Sequence, residues 1–332
     1  MAKKEKVAVI LFNLGGPDQL SSVKPFLFNL FYDPAIISVA NPLRWMLAKF
    51  ISFRRAPYAR KIYEKIGGKS PLLPQSQDQA AALAEKLNQD QTKDYRCFVS
   101  MRYWHPFSTD VARNVKDFDP DRLILLPLYP QYSITTTGSS FIDWMKSAGK
   151  VGLEKPYQAI RDYESHPLFI QSHVSLIKEN LAKIENPENY RILYSAHGLP
   201  KKIIEAGDPY QKQVEKTCAL VQEELGNPDH MICYQSRVGP LEWIGPSTEE
   251  EIERAGRDGK SIIMVPIAFV SEHSETLVEL DMDYRSLAEK NKVADYRRIK
   301  ALGCEENYIA ALADLCKMAD LCENADKGGP DV

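Results

Sequence analysis

Short apolar runs alternate with longer amphipathic stretches along the whole chain. Six of these runs are brief and almost wholly apolar, which predicts β-strands at residues 7–13, 97–100, 123–128, 191–195, 231–234 and 262–268. Strands that are apolar on both faces are typical of parallel sheets covered by helices on each side. Tyr210–Leu225 repeats its apolar residues at helical spacing, which predicts one of the covering helices.

The alternation of strands and helices runs once before about residue 160 and once after it. It predicts an α/β protein of two Rossmann-like domains, each with a parallel sheet flanked by helices. We place the N-terminal domain at residues 1–160 and the C-terminal domain at 161–332. No sequence repeat is visible between the two halves.

Residues 25–53, which we call the apolar lip, differ from the rest of the chain. They are strongly apolar, but Pro34, Pro42, Arg44 and Lys49 interrupt them, so the segment is too broken to span a bilayer. One interpretation is a buried helical hairpin. The other is an exposed surface that touches a membrane or a flat hydrophobic ligand.

Charge and cysteine content narrow the class of protein. The net charge of −3 gives no general attraction to nucleic acid. The six cysteines contain no CxxC pair, which predicts reduced thiols in a cytoplasmic protein. Cys304, Cys316 and Cys322 lie close together in sequence, but three ligands at irregular spacing are one short of the usual four of an iron–sulfur cluster.

Polar residues follow several predicted strands, where open α/β sheets bind their ligands. His197 follows the strand at 191–195, and an acidic stretch that begins at Glu272 follows the strand at 262–268. If a helix starts there, Glu275, Glu279 and Asp283 recur at intervals of four. Acidic residues are favourable near a helix N-terminus, but that does not explain Asp283. A row of carboxylates suits a hard cation or a proton relay.

Two further strand ends carry candidate binding groups. Residues 129–140 are dense in hydroxyls, and residues 102–105 read RYWH. Nucleotide-binding and common hydrolase motifs (GxGxxG, the P-loop, GxSxG and HExxH) are absent from the sequence, which disfavours the commonest α/β enzyme classes.

At these positions the sequence resembles the ferrochelatases, and the resemblance runs through almost the whole chain. The matching blocks are NLGGP at 13–17, GGKSP at 67–71, RYWHP at 102–106, YPQYS at 129–133, TTGSS at 136–140, SAHGLP at 195–200, GDPY at 207–210, QSRVGP at 235–240, VPIAF at 265–269 and EHSETLVELD at 272–281. So many blocks in the same order make chance agreement very improbable.

The resemblance implies a chelatase fold with a porphyrin cleft between the two halves, and an enzyme that inserts Fe²⁺ into protoporphyrin IX with release of two protons, the last step of haem biosynthesis. It also implies a π-type distortion in the helix that carries Glu275, with His197 and Glu275 on opposite sides of the macrocycle. A coproporphyrin ferrochelatase, another tetrapyrrole chelatase and a non-catalytic haem carrier stay open as alternatives.

The resemblance assigns catalysis to His197, Glu275, His273 and Glu279, and metal binding to His197 and Glu275. We prefer His197 as the proton acceptor, with Glu279 and Asp283 as a relay behind Glu275. The candidate substrate-binding residues are Leu14, Arg54, Arg55, Tyr63, Ser70, Arg102, Tyr103, Tyr132, Trp243 and Phe269.

We expect no tightly bound cofactor, with Fe²⁺ as a substrate. We expect no [2Fe–2S] cluster, because the chain ends ten residues after Cys322 and has Ser172 near the place of a fourth ligand. The expected partners are protoporphyrin IX and ferrous iron but no nucleic acid, and the expected state is a monomer or a homodimer. The chain looks bacterial and cytoplasmic, with peripheral contact through residues 25–53 to the inner face of the membrane.

Overall fold

Two parallel four-stranded sheets form the framework of the chain. A computed structural model describes residues 4–89, 91, 93–237, 239 and 241–321. Their strands are β1 (Lys6–Asn13), β2 (Asp94–Met101), β3 (Arg122–Pro127), β4 (Tyr157–Ala159), β5 (Tyr190–His197), β6 (His230–Gln235), β7 (Ser261–Pro266) and β8 (Tyr296–Arg298). The first sheet has the order β2-β1-β3-β4 and the second has the order β6-β5-β7-β8.

Helices connect the strands. They are α1 (Val23–Tyr32), α2 (Leu43–Glu64), α3 (Leu72–Leu87), α4 (Ser108–Phe118), α5 (Ser139–Val151), α6 (Pro167–Leu181), α7 (Lys201–Glu205), α8 (Tyr210–Leu225), α9 (Thr248–Arg257), α10 (Tyr284–Lys290) and α11 (Glu306–Leu321). Short 3₁₀ turns lie at Leu20–Ser22 and Pro187–Asn189.

The predicted fold class is confirmed. All six predicted strands are present, with ends displaced by a few residues, and the order of strands is the same in both sheets. The two halves therefore repeat one topology although their sequences show no repeat. The pattern missed β4 and β8, since strands of three residues are too short to show a period.

The chain divides into two compact units. One comprises the described parts of Met1–Asp162 and Ile309–Val332, and the other is Tyr163–Tyr308. The predicted division at residue 160 assigned the whole C-terminal helix to the second half, whereas the structure groups it from Ile309 onward with the first. Asp320 near its end accepts hydrogen bonds from Lys93 at 2.7 Å and from the hydroxyl of Tyr95 at 2.6 Å.

Each sheet is buried by helices of its own unit. In the first unit, Phe12 on β1 packs edge-on against Phe141 and Trp144 of α5, with ring centroids 5.5 and 5.8 Å apart. In the second unit, Leu193 and Met264 pack with Ile252 of α9 and Leu280. This two-sided burial explains why the strands are apolar at nearly every position.

A π-helix follows the third strand of each unit. The first is Ile134–Gly138 after β3, and the second is Glu275–Asp283 after β7. The π-type distortion expected around Glu275 is therefore present. Such insertions are rare and are frequent at functional sites, because they displace side chains from the regular helical positions.

The apolar lip forms α1, a turn and the first half of α2. One side of α2 carries small, buried residues, which are Ala48, Ser52 and Ala56. The other side is large, apolar and exposed, and we call it the exposed stripe; its residues are Leu43, Met46, Phe50 and Phe53. The buried-hairpin interpretation thus holds for one face of α2 only. Among the described residues, no helix is long and apolar enough to cross a bilayer.

Candidate active site

The carboxyl ends of β5 and β7 define the candidate site in the second unit. The chain leaves these two neighbouring strands toward different sides of the sheet, which makes their ends the usual ligand-binding position in such a fold. His197 is the last residue of β5 and lies in register with Gln235, the last residue of β6. The π-helix Glu275–Asp283 begins beyond β7.

His197 and Glu275 contact each other directly. The imidazole Nδ1 lies 3.1 Å from the Glu275 Oε2, and the two side chains keep 38% and 34% of their surface exposed. Groups on opposite faces of a flat ring must be about 7 Å apart, twice the contact distance of carbon atoms. The expectation that they lie on opposite sides of the macrocycle stays a prediction, and it requires a bound ring to separate this 3.1 Å contact.

The contact with Glu275 fixes which nitrogen of His197 can take up a proton. With Nδ1–H donating to the carboxylate, the lone pair of Nε2 is left for a substrate proton or a metal ion. Burial lowers the pKa of His197, but the charge of Glu275, its hydrogen bond and the charge of Glu279 outweigh burial and raise the pKa above its ordinary value.

His273 supports Glu275 from the backbone side. The Glu275 amide donates to the His273 Nδ1 at 3.1 Å, so the proton of the neutral His273 ring resides on Nε2. The ring packs edge-on against Phe269 with centroids 4.7 Å apart. Burial lowers the pKa of His273 and outweighs the nearby charges of Glu275 and Glu272, so this ring is neutral where His197 is readily charged.

Glu279 is held by four donors. The amide and hydroxyl of Ser236 donate to it at 2.9 and 2.5 Å, the Gln235 amide at 3.0 Å and the Tyr284 hydroxyl at 3.0 Å. Ser236 adopts a φ of 62°, a left-handed backbone that turns both of its donors toward this carboxyl. Burial, followed by the charge of Glu275, nevertheless raises the pKa of Glu279.

A buried arginine pairs with both Glu272 and Asp281 of the acidic stretch, and Asp281 also lies 3.8 Å from Arg285. Arg298 on β8 contacts Glu272 at 2.8 Å and Asp281 at 2.7 Å, and its side chain is only 9% exposed. Burial raises the pKa of Glu272, but the charge and hydrogen bonds of its partners outweigh burial and lower it. Asp283 is exposed. The acidic stretch therefore separates into Glu275 and Glu279, which contact His197 and Gln235, and Glu272 and Asp281, which pair with Arg298.

Arg102 and Tyr103 of the first unit form a buried polar cluster with Asp33 and Ser139. Asp33 accepts from the Arg102 guanidinium at 2.8 Å, from the Tyr103 hydroxyl at 2.7 Å and from the Ser139 hydroxyl. Tyr103 has no exposed surface and Arg102 is 18% exposed at its side chain. Of these two candidate substrate-binding residues, only Arg102 reaches the surface.

Tyr63 and Ser70 lie beside the turn after β1. A Cβ on Gly16 would lie 2.5 Å from the Ser70 side chain and 3.9 Å from the Tyr63 hydroxyl, so only glycine permits this approach. Leu14 is half-buried and packs in the same apolar cluster as Tyr63.

The remaining candidates are spread over both units. Arg54 is exposed on α2, and the Arg55 guanidinium lies 5.6 Å from the ring centre of Phe31. Tyr132 is buried, and the Arg161 guanidinium lies 4.5 Å from the centre of the Tyr132 ring. Trp243 is half-buried in the second unit, where it pairs with Pro200.

Metal-binding groups are sparse in the described part of the chain. There, no group of three or more His, Cys, Asp or Glu side chains is arranged to hold a metal ion. Cys304 is exposed, Cys316 is buried, and Cys322 lies outside the described residues. The His197–Glu275 pair offers two ligands, which suits an ion that is passed on rather than a resident one.

Sequence reasoning overlooked the residues that hold Glu279 and Asp33. Gln235 is the last residue of β6 and Ser236 follows it, so the rule of strand ends that selected His197 would have selected them too. Tyr284 and Asp33 carry no such signal, because Tyr284 begins a helix and Asp33 follows one.

Comparison with known proteins points to one family. The profile of the ferrochelatase family matches residues 6–319. Ferrochelatases of Wolbachia from Drosophila simulans and of Pelagibacter ubique are 51% and 50% identical to this chain; they cover 94% and 93% of it, and the matches span 98% and 90% of their own lengths.

Among solved structures, the sirohydrochlorin chelatase SirB of Bacillus subtilis subspecies spizizenii is similar in fold. It has a TM-score of 0.53 at 10% identity, over 95% of this chain and 96% of the other. A multi-domain protein of Deinococcus radiodurans with similarity to chelatases gives 0.53 at 12% identity, over 94% of this chain and 54% of the other. On the family profile and the close sequence relatives together, the chain belongs to the ferrochelatase family.

Proposed function

We propose that the paired His197 and Glu275 drive the insertion of Fe²⁺ into protoporphyrin IX. The chain is an enzyme of the ferrochelatase family, which places iron in a porphyrin during haem synthesis. The observation that carries the assignment of residues is the 3.1 Å contact between the two side chains at the carboxyl ends of the strands. Fe²⁺ is a substrate here.

Metallation removes two pyrrole N–H protons and exchanges the water ligands of the metal for four nitrogens. The Nε2 of His197 accepts the first proton, because Nδ1 is committed to Glu275. The charge of Glu275 then stabilises the imidazolium, which is the same effect that raises the pKa of His197. Before proton transfer, the same nitrogen and carboxylate suit a borderline divalent cation as ligands.

Protoporphyrin is favoured over coproporphyrin by the apolar surface of α2. Protoporphyrin carries two propionates and coproporphyrin four, so coproporphyrin would need more cationic partners. The exposed stripe presents Leu43, Met46, Phe50 and Phe53 to solvent. Rates of metallation measured on the two porphyrins decide between these substrates. Faster metallation of coproporphyrin would make coproporphyrin the substrate in place of protoporphyrin.

Residues 25–53 also support a location at the inner face of the membrane for a cytoplasmic enzyme. Lys49 lies 4.6 Å from the ring centre of Trp45, and Lys24 lies 5.3 Å from that of Phe53. Cations beside an exposed apolar surface are the arrangement with which interfacial helices bind lipid.

The proposed enzyme needs no iron–sulfur cluster. Cys316 is buried and burial raises the pKa of its thiol, which disfavours the thiolate that a cluster requires. Iron and sulfide analysis of protein purified without oxygen tests this; a stoichiometric amount of both would contradict it.

The test of function uses purified protein with protoporphyrin IX and either Fe²⁺ without oxygen or Zn²⁺, followed in the visible spectrum. The wild type should form metalloporphyrin catalytically, and His197→Ala should lose at least about a hundredfold in rate, the usual contribution of a general base. His230→Ala is the matched control, because His230 begins β6 at the amino ends of the strands, whereas His197 lies at their carboxyl ends. Tight porphyrin binding without turnover by the wild type would indicate a carrier instead.

A further inference from the structure

A row of hydrogen-bonded oxygens continues from Glu279 beyond the candidate site. The hydroxyl of Tyr284 lies 3.0 Å from the Glu279 Oε1 and 3.1 Å from the Glu249 Oε1. The Tyr284 side chain is buried, whereas Glu249, in the first turn of α9, is half-exposed. The row thus leads from a buried carboxyl to a carboxyl that water can reach.

The hydrogen atoms in this row can be counted. A tyrosine hydroxyl carries one hydrogen and donates it to one carboxylate at a time, and an ionised carboxylate only accepts. One hydroxyl shared by both carboxylates would give only a weaker three-centre bond. Both contacts are full two-centre hydrogen bonds only if one carboxyl is protonated and donates to the phenol oxygen. The geometry therefore provides a place for one proton besides that of the hydroxyl itself.

Glu279 is suited to hold that additional proton. Burial and the neighbouring charge of Glu275 raise its pKa. Its two oxygens are already occupied by the donors of Ser236, Gln235 and Tyr284, so it has little capacity left to ligate a metal ion. The Gln235 amide also donates to the Glu275 carbonyl at 3.1 Å, which ties Glu279 to the His197–Glu275 pair.

We propose that Tyr284 and Glu249 form the exit for the protons that metallation releases, with Glu279 as its entrance and Glu249 as its contact with solvent. This inference rests on the proposed function. When a proton leaves, the O–H bond of the Glu279 carboxyl breaks and a new O–H bond forms on the Tyr284 oxygen. The original O–H bond of Tyr284 breaks as its proton passes to Glu249, which hands it to water.

The step conserves atoms and changes no oxidation state. It leaves Glu279 ionised and Tyr284 neutral, with its hydroxyl now directed at Glu279. Rotation of that hydroxyl back toward Glu249 resets the row for the second proton. Tyr284 and Glu249 act through Glu279, and neither contacts the porphyrin in this account.

The experiment is a single-turnover metallation with enzyme in excess over protoporphyrin and Zn²⁺ as the metal, in dilute buffer. Tyr284→Phe removes the hydroxyl and keeps the ring, and Glu249→Gln keeps the shape but carries no proton. Both should slow metalloporphyrin formation by about tenfold or more, which is less than the roughly hundredfold effect of a lost general base because neither group contacts the porphyrin. Glu253→Gln, which removes an exposed charge from the same helix, should stay close to the wild type.

Added buffer distinguishes a role of Glu249 in proton transfer from a purely structural role. High concentrations of a small buffer that does not ligate Zn²⁺, such as MES, should restore the rate of Glu249→Gln, because the buffer replaces the missing carrier, and should not change that of Glu253→Gln. If Tyr284→Phe and Glu249→Gln metallate at the wild-type rate, the proposed proton exit is overturned and the proposed function is left intact. A slow Glu249→Gln that buffer does not restore would also overturn it. Absence of metallation by the wild type would overturn the proposed function and this inference together.

Discussion

The imidazole of His197 and the carboxylate of Glu275 meet at 3.1 Å at the carboxyl ends of β5 and β7. This hydrogen bond couples the two groups, so that one proton is shared between the imidazole and the carboxylate. Protonation of His197 is coupled to the charge of Glu275, and removal of that charge must change how the enzyme responds to pH.

Glu275→Gln should shift the acid limb of the pH dependence of kcat/KM to lower pH. The charges of Glu275 and Glu279 raise the pKa of His197 against the effect of burial, so the wild type loses its free base as pH falls through a value above 6.5. Without the Glu275 charge, His197 stays unprotonated to lower pH, although the maximal rate falls. Steady-state rates between pH 5 and 9 measure this; an unmoved acid limb would show that another group controls it.

Arg298→Met should destabilise the second unit. Arg298 is nearly buried and pairs with both Glu272 and Asp281, so its loss leaves Glu272 without its cation and Asp281 with Arg285 alone, at 3.8 Å. We expect a loss of about 3 kcal/mol in the free energy of unfolding, as for other buried pairs that lose one member. Arg297→Met is the control, since the Arg297–Asp295 pair is over a third exposed and should cost less than about 1 kcal/mol. Equal losses in the two variants would refute the structural role.

Asp33→Asn should destabilise the first unit while leaving the second unchanged. Asp33 is the common acceptor for Arg102, Tyr103 and Ser139, and its charge is the partner of the guanidinium. Loss of that charge should lower the free energy of unfolding by about 3 kcal/mol. Denaturant unfolding measures it, with Asp143→Asn as the control because Asp143 lies 3.8 Å from Arg102 and is more exposed. An Asp33→Asn variant with the same free energy of unfolding as the wild type would show that the cluster does not stabilise the fold.

The double variant Phe50→Ser, Phe53→Ser should weaken binding to vesicles of anionic lipid. Each ring is 64% exposed, and burial of a large apolar side chain is worth about 1.5–3 kcal/mol, so the loss should be at least about tenfold in affinity. Ile142→Ser is the control, because Ile142 is 48% exposed on α5, outside the exposed stripe. Unchanged vesicle binding, or no binding by the wild type, would rule out the membrane contact.

The sequence predicts the framework of this fold better than the arrangement within its site. Buried parallel strands leave runs such as Val7–Phe12 apolar at every position, so their pattern is visible. The rule of strand ends then selects His197 and, through β7, the acidic stretch.

The pattern could not show how the acidic residues pair. Glu272, Glu275 and Glu279 look alike in sequence, and only the distant Arg298, His197 and Tyr284 distinguish them. The same lack of long-range information hid the direct contact between His197 and Glu275. Helical periodicity also could not distinguish the buried face of α2 from its exposed stripe, because both faces are apolar.

A double-mutant cycle on metallation tests the central claim most directly. If His197 and Glu275 act as one unit, as their 3.1 Å contact indicates, the pair His197→Ala, Glu275→Gln should lose little more activity in kcat/KM than the more damaging single change. If the two losses multiply, the residues act independently, and the account of a single proton-accepting pair is contradicted.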